Sequence, residues 1–150
     1  MGRFAMVVSG TDTDARMRVL VYSDKAETRE QVRQAIGRRP AADVPRVEIV
    51  ECATAPMVLR KLEETDAAER IDVAIFDGEA APTGGMGLCR QVKDEIFNCP
   101  PVLVLVARRD DAWLANWSRA EKVVARPIDP VVLADALAEL MRQRLAVLSG

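Results

Sequence analysis

The chain has 150 residues, of which 49% are hydrophobic and 29% are charged, as is typical of a soluble globular protein of about one domain. Its formal net charge of -2 gives nucleic acid no electrostatic attraction. The chain contains no histidine, which excludes histidine general bases, histidine metal ligands and a histidine phosphocarrier. The cysteines are too few and too scattered for a zinc site or a disulfide framework, so we expect free buried thiols at Cys52, Cys89 and Cys99.

The lengths of the apolar runs and the pattern of the first residues give an expectation of where the protein resides. No apolar run approaches the roughly 20 residues that a membrane-spanning helix needs. The amino terminus lacks the basic-then-apolar pattern of a signal peptide, so we predict a cytoplasmic protein without direct membrane insertion. Residues 1–16 end in a polar run and are predicted to be a tail or a docking extension, which leaves residues 17–150 as the domain.

Beyond the tail, five short apolar patterns rich in valine and isoleucine alternate with helical patterns. The fourth of them, VLVLVA, is apolar throughout, which indicates burial on both faces, as in a parallel sheet. The predicted strands are residues 18–23, 47–52, 72–77, 102–107 and 122–125.

The segments between the strands show helical spacing and helix-end signals. Gly37 predicts the end of the first helix, and Thr54 predicts the start of the second. Asp129 is the predicted cap of the last helix, and a shorter fourth helix would carry Trp113 and Trp117 on one face. Five such units predict an α/β fold with a flavodoxin-like, doubly wound, five-stranded parallel sheet in the order 2-1-3-4-5.

Charged residues stand at the ends of three predicted strands. The first strand ends in Ser23-Asp24, the third ends in Asp77, and the fifth runs into Arg126. Sites in such sheets lie at the carboxyl ends of the strands, so we expect Asp24, Asp77 and Arg126 to cluster there. In the absence of a metal, we expect Arg126 to form an ion pair with Asp77. Oxygen-rich clusters suit Mg²⁺, and a carboxylate beside it could accept a phosphoryl group.

Four stretches of the chain follow one another in a recognisable order: RVLVYSDKAETREQV, DVAIFDGEAAPTGGMGLCRQVK, PPVLVLVAR and VVARPIDPVVLADAL. Their order and spacing resemble the receiver domain of bacterial two-component response regulators, over residues 17–146. The resemblance implies that Asp77 is the phosphoacceptor, and that Asp24 and the backbone carbonyl of Glu79 join it in a weak Mg²⁺ site. Gly85 fits the usual glycine of the loop that follows.

Several departures from the family pattern predict a degenerate receiver. Ser23 replaces the first acid of the metal-binding pair. Val106, Ala107 and Arg126 occupy the positions that contact the phosphoryl group, but valine offers it no hydrogen bond and Arg126 replaces a lysine. Val123 replaces the aromatic residue that usually rotates inward. We therefore expect that no Mg²⁺ is required and that the usual switch is lost.

The predicted function is that of an atypical, stand-alone receiver that is not an enzyme and that binds a protein partner without phosphorylation. We expect no output domain beside the receiver, so output is expected through contacts with another protein. Receivers generally bind partners through the fourth helix, fifth strand and fifth helix, where Trp113 and Trp117 would be the anchors. The open alternative for both indoles is packing into the core.

Other functions remain open at this point. A phosphorylation-competent regulator that accepts a phosphoryl group on Asp77 is the first alternative. Another alternative is an enzyme, a haloacid-dehalogenase-like phosphatase. A further alternative is a protein that binds a cofactor, as flavodoxin does. A fainter resemblance, to orphan single-domain receivers of actinobacteria, implies an accessory role at a respiratory complex. The candidate partners are a sensor kinase or the respiratory NADH dehydrogenase (complex I), the latter placing the protein at the periphery of a membrane complex.

Overall fold

The computed structural model describes residues 15–149; residues 1–14, residue 150 and the side chains of Ala112, Leu114 and Ala115 lie outside that description. The predicted tail therefore falls almost wholly outside the described residues, although Arg16 already belongs to the first strand. Within residues 15–149, no helix is both long enough and apolar enough to cross a membrane.

The described residues form one parallel sheet of five strands in the order 2-1-3-4-5, which confirms the predicted fold. The strands are β1 (Arg16–Tyr22), β2 (Arg46–Cys52), β3 (Val73–Asp77), β4 (Val102–Val106) and β5 (Lys122–Ala125). The helices are α1 (Ala26–Ile36), α2 (Ala55–Leu62), α3 (Gly85–Glu95), α4 (Leu114–Ser118) and α5 (Pro130–Ser149), and a 3-10 helix spans Arg109–Trp113.

The helix ends follow the predicted capping residues. Gly37 takes φ +60° after α1, a conformation that glycine adopts readily, and its N–H donates to the carbonyl of Arg33 at 3.0 Å. The Thr54 hydroxyl accepts from the N–H of Met57 at 3.4 Å at the start of α2. The carboxylate of Asp129 accepts from the N–H of Val131 at 2.9 Å, which fixes the start of α5.

Two hydrophobic cores hold the helices against the two faces of the sheet. Apolar residues of α1 and α5 cover one face, and those of α2 and α3 cover the other. Every residue of β3 and of β4 is buried, as expected for central strands of a sheet covered on both sides. This packing holds the carboxyl ends of β1, β3, β4 and β5 at one rigid edge.

The region of the predicted fourth helix differs from the prediction. A 3-10 helix ends at Trp113 and the five-residue α4 carries Trp117, so the two indoles belong to different helical segments. Asp110 and Asp111 lie in the first turn of the 3-10 helix, and aspartate favours turns and helix starts over regular helix interiors. Trp113 is 70% exposed and Trp117 is 48% exposed, so the alternative prediction that both indoles pack into the core is wrong.

Candidate functional site

The carboxylate of Asp77 is the centre of the cluster at the carboxyl edge of the sheet. Its side chain is only 1% exposed, and Nη2 of Arg126 lies 2.7 Å from its Oδ1. The same oxygen accepts from the backbone N–H of Glu79 at 2.9 Å. The hydroxyl of Ser23 donates to Oδ2 at 2.8 Å. Both oxygens of Asp77 are therefore engaged by groups of the chain itself.

These contacts determine the charge state of Asp77. Burial on its own would raise the pKa of its carboxyl group. The hydrogen bonds from Glu79, Ser23 and Arg126 and the positive charge of Arg126 outweigh that effect, and the pKa lies below its ordinary value. Asp77 is thus ionised at neutral pH and balanced by a cation that the fold supplies, although Nε of Arg126 is buried without a hydrogen-bond partner among the described residues.

Asp24 lies at the same edge but has different partners. Its Oδ1 accepts from the backbone N–H of Ala81 at 3.1 Å, and Nζ of Lys25 lies 4.0 Å away. No ion pair joins Asp24 to Arg126 in the part of the chain that the structure describes. The structure therefore brings Asp77 and Arg126 into direct contact, while Asp24 holds the loop after β3.

Tyr22, the last residue of β1, is a site residue that the sequence reasoning missed. Its ring is buried and meets the ring of Phe76 edge-on, with 5.9 Å between the centroids. Its hydroxyl donates to the carbonyl of Thr83 at 2.6 Å. Burial, followed by the charges of Asp24 and Asp77, raises the pKa of Tyr22. The signal in the sequence was a tyrosine inside a buried strand, since a buried hydroxyl needs a partner.

Two glycines allow the loop after β3 to pass close to the sheet. A Cβ at Gly78 would lie 2.5 Å from the carbonyl oxygen of Leu105, and one at Gly85 would lie 2.7 Å from that of Asp77. Real Cβ atoms do not approach a backbone oxygen so closely. The close approach lets the N–H groups of Glu79 and Ala81 reach Asp77 and Asp24, respectively.

The residues expected to hold Mg²⁺ are a poor fit for it in this arrangement. Magnesium needs near-octahedral oxygen ligands, usually including one or two free carboxylates. Here Arg126 and Ser23 engage the carboxylate of Asp77, and Asp24 bonds to the N–H of Ala81. The backbone N–H of Glu79 adds a further donor to the carboxylate of Asp77. Residues 15–149 contain no group of three Asp, Glu, Cys or His side chains suited to a metal ion.

The remaining predicted site positions, Val106, Ala107 and Val123, carry apolar side chains. Val106 is buried at the end of β4, and its carbonyl accepts from the N–H of Arg126 at 2.9 Å. Ala107 and Arg126 line a cleft of about 700 Å³ beside the site, which the sequence did not predict. Val123 packs against the core on the α2 and α3 side of the sheet. Neither valine offers a hydroxyl or an aromatic ring that could respond to a phosphoryl group.

The 3-10 helix that ends at Trp113 packs against the edge strand β5, and α4, which carries Trp117, packs against α3. The guanidinium of Arg90 stacks over the ring of Trp117, 5.2 Å from its centroid, and also donates to the backbone carbonyl of Trp117 at 2.7 Å. Trp117 is therefore held by α3, whereas Trp113 is the more exposed of the two.

Comparison with known proteins agrees with this architecture. The chain is 51% identical over 131 residues to a protein of Mycobacterium tuberculosis named an uncharacterized response regulatory protein, covering 87% of this chain and 96% of the relative. A receiver domain from Clostridium thermocellum superposes with a TM-score of 0.68 at 20% identity, over 87% of this chain and 98% of that one.

A CheY-like receiver domain from Methanospirillum hungatei has a TM-score of 0.64 at 19% identity, over 88% of this chain and 98% of that one. No protein-family model matches the chain. The identity to the mycobacterial relative, which extends over nearly its whole length, and the shared fold show that this chain belongs to the response regulators and carries their receiver domain.

Proposed function

We propose that this receiver binds a protein partner constitutively, without phosphorylation of Asp77. The observation that carries the proposal is that Arg126, Ser23 and the N–H of Glu79 occupy both oxygens of a buried Asp77. An attacking carboxylate oxygen must be free to reach the phosphorus atom. Here that oxygen would first have to give up an ion pair or a buried hydrogen bond.

The surroundings of Asp77 add a second cost to phosphoryl transfer. In characterised enzymes, the loss of one donor to a developing oxyanion costs on the order of 3 kcal/mol. Val106 supplies no such donor, and Ser23 stands where the family pattern has the acidic partner of Asp24. A switch also needs contacts that differ between its two states, and Val123 offers no ring to move.

The exposed tryptophans beside β5 are the proposed anchors for the partner. Tryptophan is enriched among the residues that dominate binding energy. Truncation of such a residue typically costs about 2 kcal/mol or more, roughly a thirtyfold loss of affinity. Trp113, with 70% of its surface exposed, is the stronger candidate, and Arg90 holds Trp117 in place beside it.

A comparative co-purification tests this proposal. Tagged wild type, Asp77→Asn, Trp113→Ala and Trp117→Ala proteins are recovered from the soluble and membrane fractions, and the proteins bound to each are quantified by mass spectrometry. We expect one partner to be recovered equally with wild type and Asp77→Asn but at least about tenfold less with Trp113→Ala. A partner lost with Asp77→Asn from a folded protein would contradict the proposal.

The identity of the recovered partner discriminates between the two partner classes. A sensor kinase in the soluble or membrane fraction would point to a signalling role in the cytoplasm. Subunits of the respiratory NADH dehydrogenase in the membrane fraction would point to an accessory role at the membrane surface.

The second candidate function, a phosphorylation-competent regulator, is favoured by the retention of Asp77, Asp24 and a cation at Arg126.

A further inference from the structure

A second cleft, of about 820 Å³, lies at the opposite, amino-terminal edge of the sheet. Its walls come from the loops after α2 and α3 and from the last turns of α5. Phe97 is 90% exposed and Val147 is 69% exposed, and Ile96 and Leu148 continue the apolar surface beside them. Grouped apolar side chains of this kind mark binding surfaces.

The charges around this cleft favour a cationic occupant. Glu63, Glu64 and Glu95 are exposed on its wall, and within residues 15–149 none of the three forms an ion pair. The basic residues of the wall, Arg70 and Arg144, both face Asp72, with N–O distances of 3.5 and 3.9 Å. The net potential at the rim is therefore negative, and a segment that combines apolar side chains with a positive charge fits it best.

Residues 3–8 of this chain, RFAMVV, have that composition: one arginine followed by phenylalanine, alanine, methionine and two valines. The described chain resumes at the same edge of the sheet, where β1 starts at Arg16. There Nε of Arg18 donates to the carbonyl of Glu69 at 3.1 Å, next to Arg70 of the cleft wall. The seven residues 9–15 can span up to about 23 Å when fully extended, so residues 3–8 can lie some way along this edge from Arg16.

We propose that residues 3–8 bind in this cleft within the same molecule. Arg3 pairs with the acidic wall at Glu63 and Glu64, and the apolar side chains that follow it cover Phe97 and Val147. The apolar surface at this edge is then closed to other proteins, which leaves the tryptophan side of the domain as the surface open to a partner. The proposal does not depend on the state of Asp77.

Hydrogen–deuterium exchange of the full chain tests the proposal. We expect the amides of residues 4–8 to exchange at least about tenfold more slowly than the intrinsic rate of an unprotected chain. Phe4→Asp and Val147→Asp should each return these amides to within about twofold of the intrinsic rate, because each places a charge in the apolar contact.

Val131→Asp is the matched control, since Val131 is an equally exposed valine at the other end of α5, 68% against 69% for Val147. This variant should keep the protection of residues 4–8. Exchange of these amides at the intrinsic rate in the wild type would overturn the proposal, as would protection that survives Val147→Asp. Protection that grows with protein concentration would also overturn it, because the occupant would then be a second copy of the chain.

Discussion

Replacement of Asp77 by asparagine should destabilise this receiver at neutral pH. In a cluster of acids that repel one another, removal of one charge relieves repulsion and stabilises the fold. Here Asp77 is instead held by a cation and two further donors, and Arg126 is 24% exposed. Hydrogen bonds to a charged group contribute about 1.5–3 kcal/mol each.

The size of the expected stability loss depends on which hydrogen bonds the asparagine amide can keep. Its carbonyl oxygen can still accept from Arg126 and Glu79, and its NH₂ group can donate to the Ser23 hydroxyl, so all three contacts persist without the negative charge. The neutral amide also avoids the cost of burying a charge, which offsets part of the lost stability. We expect a net decrease of about 2 kcal/mol in the free energy of unfolding at pH 7.

The pH dependence provides an internal check. The folded-state pKa of Asp77 lies below its ordinary value of 3.8, so its stabilising contribution is complete above that value and is lost as the pH falls through the folded-state pKa. The difference between wild type and Asp77→Asn should therefore shrink below about pH 4. This difference in unfolding free energy is measured by urea unfolding, monitored by circular dichroism, at pH 7 and at about pH 3.

Asp24→Asn is the control, because Asp24 is exposed and, among residues 15–149, accepts one backbone hydrogen bond, from Ala81, and lies 4.0 Å from Nζ of Lys25. It should cost less than about 1 kcal/mol at pH 7. If Asp77→Asn were as stable as the wild type or more stable, Arg126 would not be neutralising the site, and the reasoning about an occupied carboxylate would be refuted.

Three further outcomes follow from the geometry of the site and core. Gly85→Ala should cost about 1–3 kcal/mol in urea unfolding, since its Cβ would lie 2.7 Å from the carbonyl oxygen of Asp77; an unchanged midpoint would contradict this. Tyr22→Phe should cost about 1 kcal/mol and speed amide exchange in residues 78–84, because the bond to Thr83 is lost; unchanged exchange would show that this bond does not hold the loop. Cys89 is buried with a pKa raised to about 12, so it should resist a thiol reagent at pH 8 until urea unfolds the chain, and rapid native labelling would contradict its burial.

The sequence was most informative where one short-range pattern determines one element. The apolar run of β4 and the capping residues Thr54 and Asp129 predicted elements that the structure contains. Strand-end position alone brought Asp77 and Arg126 to one edge, because parallel strands share their carboxyl ends. The helix type around Trp113 was harder to predict, because the choice between a 3-10 turn and an α-helical turn depends on small local energy differences.

The hydrogen-bond directions at the site could not be deduced from residue types. Ser23 was interpreted as the loss of an acid, yet its hydroxyl donates directly to Asp77. The N–H of Glu79 donates to the carboxylate of Asp77, a contact that its residue type does not indicate, while its carbonyl as a metal ligand stays a prediction. The bond from Tyr22 to Thr83 joins residues that are far apart in the sequence, and only the path of the loop after β3 reveals it.

Phosphoryl labelling of the isolated protein tests the central claim most directly. Wild type, Asp77→Asn and the triple variant Ser23→Asp, Val106→Thr, Arg126→Lys are incubated with acetyl phosphate and Mg²⁺, and covalent phosphate is measured by intact-protein mass spectrometry. We predict that the wild type stays unlabelled, like Asp77→Asn, while the triple variant, which regains an acid, a hydroxyl and a lysine, is labelled. Rapid labelling of the wild type that Asp77→Asn abolishes would contradict the claim, because the carboxylate would then be free to react.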